Sequence, residues 1–98
     1  MSSQSDTDIL TSQDIEQLLR LLPRYRVLLH NDDVNSMDFV VHALLRTVQC
    51  LSVDEAVKIM LEADLQGKAS VVVCPKETAE FYRAGLESYG LTSTIEPE

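Results

Sequence analysis

The apolar positions of the chain change period along its length, and the changes mark out its elements. Ile15, Leu18, Leu19 and Leu22 recur at i, i+3, i+4 and i+7, the stripe of an amphipathic helix over residues 12–22. Thr11 or Ser12 can cap it, Asp14 and Glu16 suit the positive end of its dipole, and Pro23 ends it. Residues 24–30, RYRVLLH, are a β-prone run without Gly or Pro and predict the first strand. After the loop NDDVNS, Ser36 caps a helix that should run to about Gln49. Its inner stripe is Phe39 or Val40, Ala43 or Leu44, then Thr47 or Val48. Ser52 followed three residues later by Glu55 is a capping box. It opens a helix running to about Leu65 with Ala56, Ile59, Met60 and Ala63 on one face, and Gly67 closes it as a left-handed C-cap. KASVVVC reads as the second strand. Pro75 breaks it and stands near the first turn of a further helix, whose inner stripe is Ala79, Tyr82, Leu86 and Tyr89. Gly90 ends that helix, and LTSTIEP, from Leu91, is the third strand.

The order after the first helix is β-α-α-β-α-β, with short strands joined through helices. That predicts an α+β two-layer sandwich whose two consecutive helices form an αα-hairpin. The folded domain is expected over residues 24–98, behind an N-terminal extension of residues 1–23. Residues 1–10, rich in Ser, Asp and Thr, are expected to be disordered. The helical stripe after them can dock on the domain or serve as a flexible arm that binds a partner.

Composition narrows the function. A chain of 98 residues, 45% apolar and 24% charged, is one ordinary globular domain at most. No apolar run reaches the roughly 20 residues that span a bilayer, and MSSQSDTD lacks the basic and apolar regions of a secretory signal. The cytosol, or a compartment like it, is the expected location. The net charge of −8, from 16 acidic and 8 basic residues, repels phosphate backbones. Nucleic acid and anionic membrane are thereby disfavoured, and a cationic ligand or a basic patch on a protein is favoured. Cys50 and Cys74 form no CxxC or Cys/His cluster and read as two free, partly buried thiols.

The chemistry concentrates in HNDDVNSMDF, residues 30–39, where a buried-looking strand ends in an amide and two carboxylates. Three readings are open. Asn31, Asp32 and Asp33 can simply build the turn, hydrogen-bonding their own backbone. With Asp38 they can offer hard oxygen ligands to Mg²⁺ or Ca²⁺, although the spacing of a calcium-binding loop is absent and no nucleophile–base pair accompanies them. Or they can hold an ammonium group, whose three N–H donors want two or three acceptors. Beside an apolar hollow, that third site would accept the N-terminal residue of a peptide.

The stretches YRVLLHNDDVNSMDFVVHALLRTV, DEAVKIMLEADLQGKASVVV and ETAEFY resemble the ClpS adaptor family of Clp proteases, from about Tyr25 to Glu96. The carrying motifs are L-x-N-D-D, then M-[DE]-F-V, A-x-x-I-M-L and Q-G-[KR]-A, in that order. The resemblance implies a three-stranded antiparallel sheet with three helices. It also implies a non-enzymatic adaptor; a monomer is the default expectation, and no cofactor or metal is expected. Such adaptors bind proteins beginning with a bulky hydrophobic residue and deliver them to an AAA+ Clp unfoldase, of the ClpA or ClpC type, and its ClpP peptidase. By motif, Asn31, Asp32 and Asp33 would bind the α-amino group, with Asp64 at the position where the family usually has His. Met37 would be a gate against β-branched side chains. Val40, Met60 and Ala63 would line the pocket, with Val34, Asn35 and Leu91 at its rim. Glu77, Glu80 and Tyr82 would face the unfoldase, and the N-terminal arm would serve handover. Ala63, small for this position, implies a roomier pocket. Asp64 implies a variant preference, and a third carboxylate there should raise the pKa of one of its neighbours. The alternative on the same fold is a Clp-binding regulatory module without recognition of N-terminal residues.

Overall fold

The computed structural model describes residues 9–98. Helix α1 spans Ser12–Leu21, strand β1 Arg24–His30, α2 Met37–Thr47, α3 Val53–Gln66, β2 Lys68–Pro75, α4 Lys76–Ser88 and β3 Ser93–Pro97. The three strands form one antiparallel sheet in the order β2-β1-β3. Central β1 is buried at Val27, Leu28 and Leu29 in succession. Val27 pairs with Val72 and Ile95, Leu29 with Ala69 and Ser93, and both Val27 and Leu29 are fully buried. An irregularity in register between Val27 and Leu28 leaves Val71 as the extra residue on β2.

Local chemistry starts the helices where the sequence indicates. Thr11 and Asp14 form a capping box on α1, and Ser52 and Glu55 form another on α3. The Glu55 carboxyl is held below its ordinary pKa by its hydrogen bonds to Ser52. Ser36 Oγ accepts from Phe39 N at the start of α2. α2 ends at Thr47, two residues sooner than the expected Gln49, because Val48 leaves helical geometry and a turn closes from Leu51 N to Val48 O. Pro75 is the last residue of β2 and the N-cap of α4.

Helices α3 and α4 pack on the sheet, and α2 packs on both of them. The core between the layers holds Leu44 from α2 and Val48 just after it, Ala56, Ile59 and Ala63 from α3, and Ala79 and Leu86 from α4. Tyr82 and Tyr89 lean against it half-buried. At a buried apolar transfer value of roughly 25 cal/mol per Å², such side chains supply most of the folding drive. Cys74 is buried with the core, and that burial raises its thiol pKa, whereas Cys50 is exposed rather than partly buried. None of the residues of α1 is buried. The expected disorder of residues 1–10 falls mostly outside the described residues.

Candidate functional site

The loop between β1 and α2 is fastened to the domain at several points. His30 N donates to Thr92 O, and Asn31 N donates to Gly67 O at 2.9 Å. The second bond depends on Gly67, whose φ of 92° turns the chain sharply after α3. It brings Asn31 at the end of β1 beside Asp64 in the last turn of α3, two residues far apart in sequence.

Asp32 holds the loop from within. Its Oδ1 accepts from Val34 N at 2.8 Å and Asn35 N at 2.9 Å, and its Oδ2 accepts from Asn35 Nδ2 at 2.6 Å. These bonds, the Asn35 side chain first, keep the Asp32 carboxyl below its ordinary pKa. The expectation of a raised carboxyl pKa is therefore not met at Asp32, because the hydrogen bonds favour its charged form. Asn31 Nδ2 donates to Asp33 Oδ1 at 3.2 Å. That bond leaves the Asn31 amide oxygen as an acceptor.

A hollow opens between this loop, the start of α2 and the end of α3. Leu29, Asn31, Asp32, Asn35 and Met37 line it from one side, with Val40, Met60, Ala63 and Asp64 completing the wall. Eight of the eleven residues expected at the amine site and pocket thus share one wall. One end is amide and carboxylate, and the other is aliphatic and thioether. Among the described residues Asp64 has no ion pair. It sits in a last helical turn with no basic residue, where the negative end of the α3 dipole also favours a cation.

Three expected residues lie elsewhere. Asp33 is exposed and does not line the hollow, although it holds Asn31. Val34 is 92% exposed, because the Asp32-centred turn directs it outward. Leu91 is only 3% exposed and belongs to the core rather than to a rim. Its burial follows from the end of α4. Gly90, at φ 84°, donates to Glu87 O, and Leu91 N donates to Leu86 O, the Schellman pattern whose following apolar residue packs back on the helix. That turn also delays β3 to Ser93 rather than Leu91.

The hollow is narrow, with a volume of about 20 Å³, near what one water needs. Ala63 does not make it roomy. Met37, 50% exposed, and Met60 are unbranched side chains in its wall, and such side chains readily change shape. Leu29 and His30 also line the hollow, and sequence reading did not single them out for it. Leu29 was legible as an inward strand position, whereas His30 carried no signal beyond its place at the strand end. The His30 ring is hydrogen-bonded to Thr94 on β3 at 2.7 Å. Among the described residues no three His, Cys, Asp or Glu side chains are gathered to hold a metal ion. Glu77 and Glu80 are exposed on α4, beside Lys76, Leu22 and Pro23.

A three-stranded sheet with an αα-hairpin on one face and a polar-ended hollow at the hairpin's mouth is the frame of a small binding domain. Residues 21–94 match the family described as ATP-dependent Clp protease adaptor protein ClpS, and the chain belongs to that family. It is 52% identical over 79 residues to the ATP-dependent Clp protease adapter protein ClpS of Synechococcus elongatus, covering 81% of this chain and 83% of the relative. A chloroplastic Clp protease adapter of Chlamydomonas reinhardtii is 49% identical over 83 residues, covering 85% of this chain and 51% of the relative. The solved structure of Agrobacterium tumefaciens ClpS2 bound to L-phenylalaninamide superposes with a TM-score of 0.73 at 33% identity, covering 78% of this chain and 98% of that one.

Proposed function

We propose that this adaptor holds the N-terminal residue of substrate proteins in the hollow between the 31–36 loop and α3, and delivers those proteins to an AAA+ Clp unfoldase. The observation that carries the reading is the two-ended wall: Asn31 and Asp64 at one end, Met37, Val40, Met60 and Ala63 at the other. An N-terminal residue has the same two ends, an ammonium and, one carbon away, an apolar side chain. L-phenylalaninamide, the ligand of the A. tumefaciens relative, carries both.

In this reading the Asp64 carboxylate and the Asn31 amide oxygen accept from the ammonium. Asp33 orients Asn31, and Asp32 keeps the loop in shape. A bulky side chain needs far more room than about 20 Å³, so Met37 and Met60 swing aside as it enters. Met37 stands at the first helical position, where a β-branched side chain would meet its backbone turn. The site performs no chemistry; the substrate is held, not altered. Burial of one Leu or Phe side chain contributes roughly 1.5–3 kcal/mol, and each charge-assisted hydrogen bond a similar amount. After association costs, a dissociation constant of about micromolar order results. Glu77 and Glu80 on α4 face the unfoldase, of the ClpA or ClpC type, and the N-terminal arm serves handover; Tyr82, half-buried, turns to a neighbouring groove instead. The location is the bacterial cytosol or the chloroplast stroma.

The test is fluorescence anisotropy with labelled peptides beginning in Leu, Phe, Tyr, Trp, Val or Met, each with a free and an acetylated N-terminus. Binding of a bulky free-amine peptide is expected, lost on acetylation and in Asp64→Ala or Asn31→Ala. If no peptide binds, the chain is a Clp-binding module without recognition of N-terminal residues.

A further inference from the structure

The domain carries a second and larger depression where the end of α2 meets α4, with a volume of about 430 Å³. Its wall is built chiefly from Arg46 and Cys50 on one side and Phe81, Tyr82, Gly85 and Tyr89 on the other, and it shares no residue with the hollow at the loop. Gly85 creates the floor. A Cβ there would stand 2.7 Å from Thr47 Cγ2, so the two helices approach closely and α4 presents no side chain at that point.

Three features bear on what this groove could hold. No Asp or Glu lines it, in a chain with a net charge of −8. Arg46, at its edge, has no ion pair among the described residues. Phe81, at its rim, is 72% exposed, so its ring is available to a partner. Beneath the floor, Thr47 Oγ1 is buried without a hydrogen-bond partner. That hydroxyl is left to donate to an acceptor in the groove, which Thr47 also lines.

We propose that the groove docks a segment of a partner protein in which an aromatic or aliphatic side chain adjoins a carboxylate. The apolar side chain packs between Phe81 and Tyr82 over Gly85, and the Arg46 guanidinium takes the carboxylate in a forked, charge-assisted pair. Aromatic residues and Arg are the side chains that carry most energy at protein interfaces. The charge of the groove sets the sign of its preference: a basic segment meets Arg46 with like charge and gains nothing from a carboxylate-free wall. The proposal does not depend on the amine site.

The test uses the full chain and short labelled peptides that are acetylated at the N-terminus and amidated at the C-terminus, which keeps them out of the amine site. One peptide pairs Phe and Leu with Asp and Glu, a second replaces the acids by Asn and Gln, and a third by Lys. Saturable binding of the acidic peptide is expected. Affinity should fall about tenfold for the amide peptide, one charge pair's worth, and binding should be lost for the Lys peptide. Arg46→Glu should abolish binding of the acidic peptide, Arg46→Ala should weaken it, and Phe81→Ser should weaken it further than Arg46→Ala does. All three leave the circular dichroism spectrum and the binding of free-amine peptides unchanged. Absence of saturable binding overturns the proposal. So does binding that ignores both Arg46 and Phe81, or equal binding of the acidic and Lys peptides.

Discussion

Helices α1 and α3 start alike and end in different surroundings. Each opens with a capping box and carries an apolar stripe, yet α3 buries Ala56, Ile59 and Ala63 while α1 buries nothing. Ile15, Leu18, Leu19 and Leu22 remain about half exposed. The difference lies in what the chain does next. α3 turns at Gly67 and feeds β2 back along β1, so its apolar face lies over the sheet. α1 runs into Pro23 and then an extended β1, with no turn to fold its stripe back. Capping and periodicity specify a helix, whereas burial requires a connection that returns it to the core.

Substitutions in the two regions should separate on that basis. The largest effect is expected from Leu44→Ala, in the core against which α3 packs. It should cost about 2–5 kcal/mol in chemical denaturation, whereas Leu18→Ala should change stability by less than about 0.5 kcal/mol. A cost for Leu18→Ala comparable to that of Leu44→Ala would mean that α1 is docked. Gly85→Ala comes next, because its Cβ would meet Thr47 Cγ2 at 2.7 Å, and overpacking of this kind costs roughly 1–3 kcal/mol. Ser52→Ala should cost about 1 kcal/mol of global stability. The matching Thr11→Ala should lower helical ellipticity without moving the unfolding midpoint, since α1 melts apart from the domain.

The smallest effect is electrostatic and belongs to the loop. The folded Asp32 carboxyl has a lowered pKa, so its contribution to stability is present above the unfolded value of about 3.9 and is lost as pH falls through the folded value. Denaturation of the wild type and of Asp32→Asn should differ at neutral pH and converge as pH falls through the lowered folded value. An equal gap at both ends would remove Asp32 from its place as the anchor of the loop.

Most of the fold was legible because its signals are local. β1, the Ser52 box and the Gly67 cap each depend on a few adjacent residues, and each lies where the sequence put it. The hollow was partly legible: Asn31, Met37, Val40, Met60, Ala63 and Asp64 were named by motif and do converge. What was lost was direction. Val34 and Asp33 follow a turn whose side-chain orientation is set by three hydrogen bonds to Asp32. Leu91 was misread although the signal was available, since Gly followed by an apolar residue at a helix end marks the Schellman turn that buries it. The narrowness of the hollow could not be read from Ala63, because free volume depends on how Met37 and Met60 settle around it. The α2–α4 groove was invisible for a similar reason. It arises from the approach of two helices at Gly85 and Thr47, a distance no local pattern encodes.

In the proposed function one hollow, between the 31–36 loop and the end of α3, receives the N-terminal residue. Titration of the ¹⁵N-labelled chain with L-phenylalaninamide, followed by amide chemical shifts, tests it most directly. Saturable shifts are expected, concentrated at Asn31–Val40 and Met60–Asp64 and lost in Asp64→Ala, with the amides around Arg46 and Phe81 unmoved. Shifts centred on the α2–α4 groove, or none at all, would contradict it.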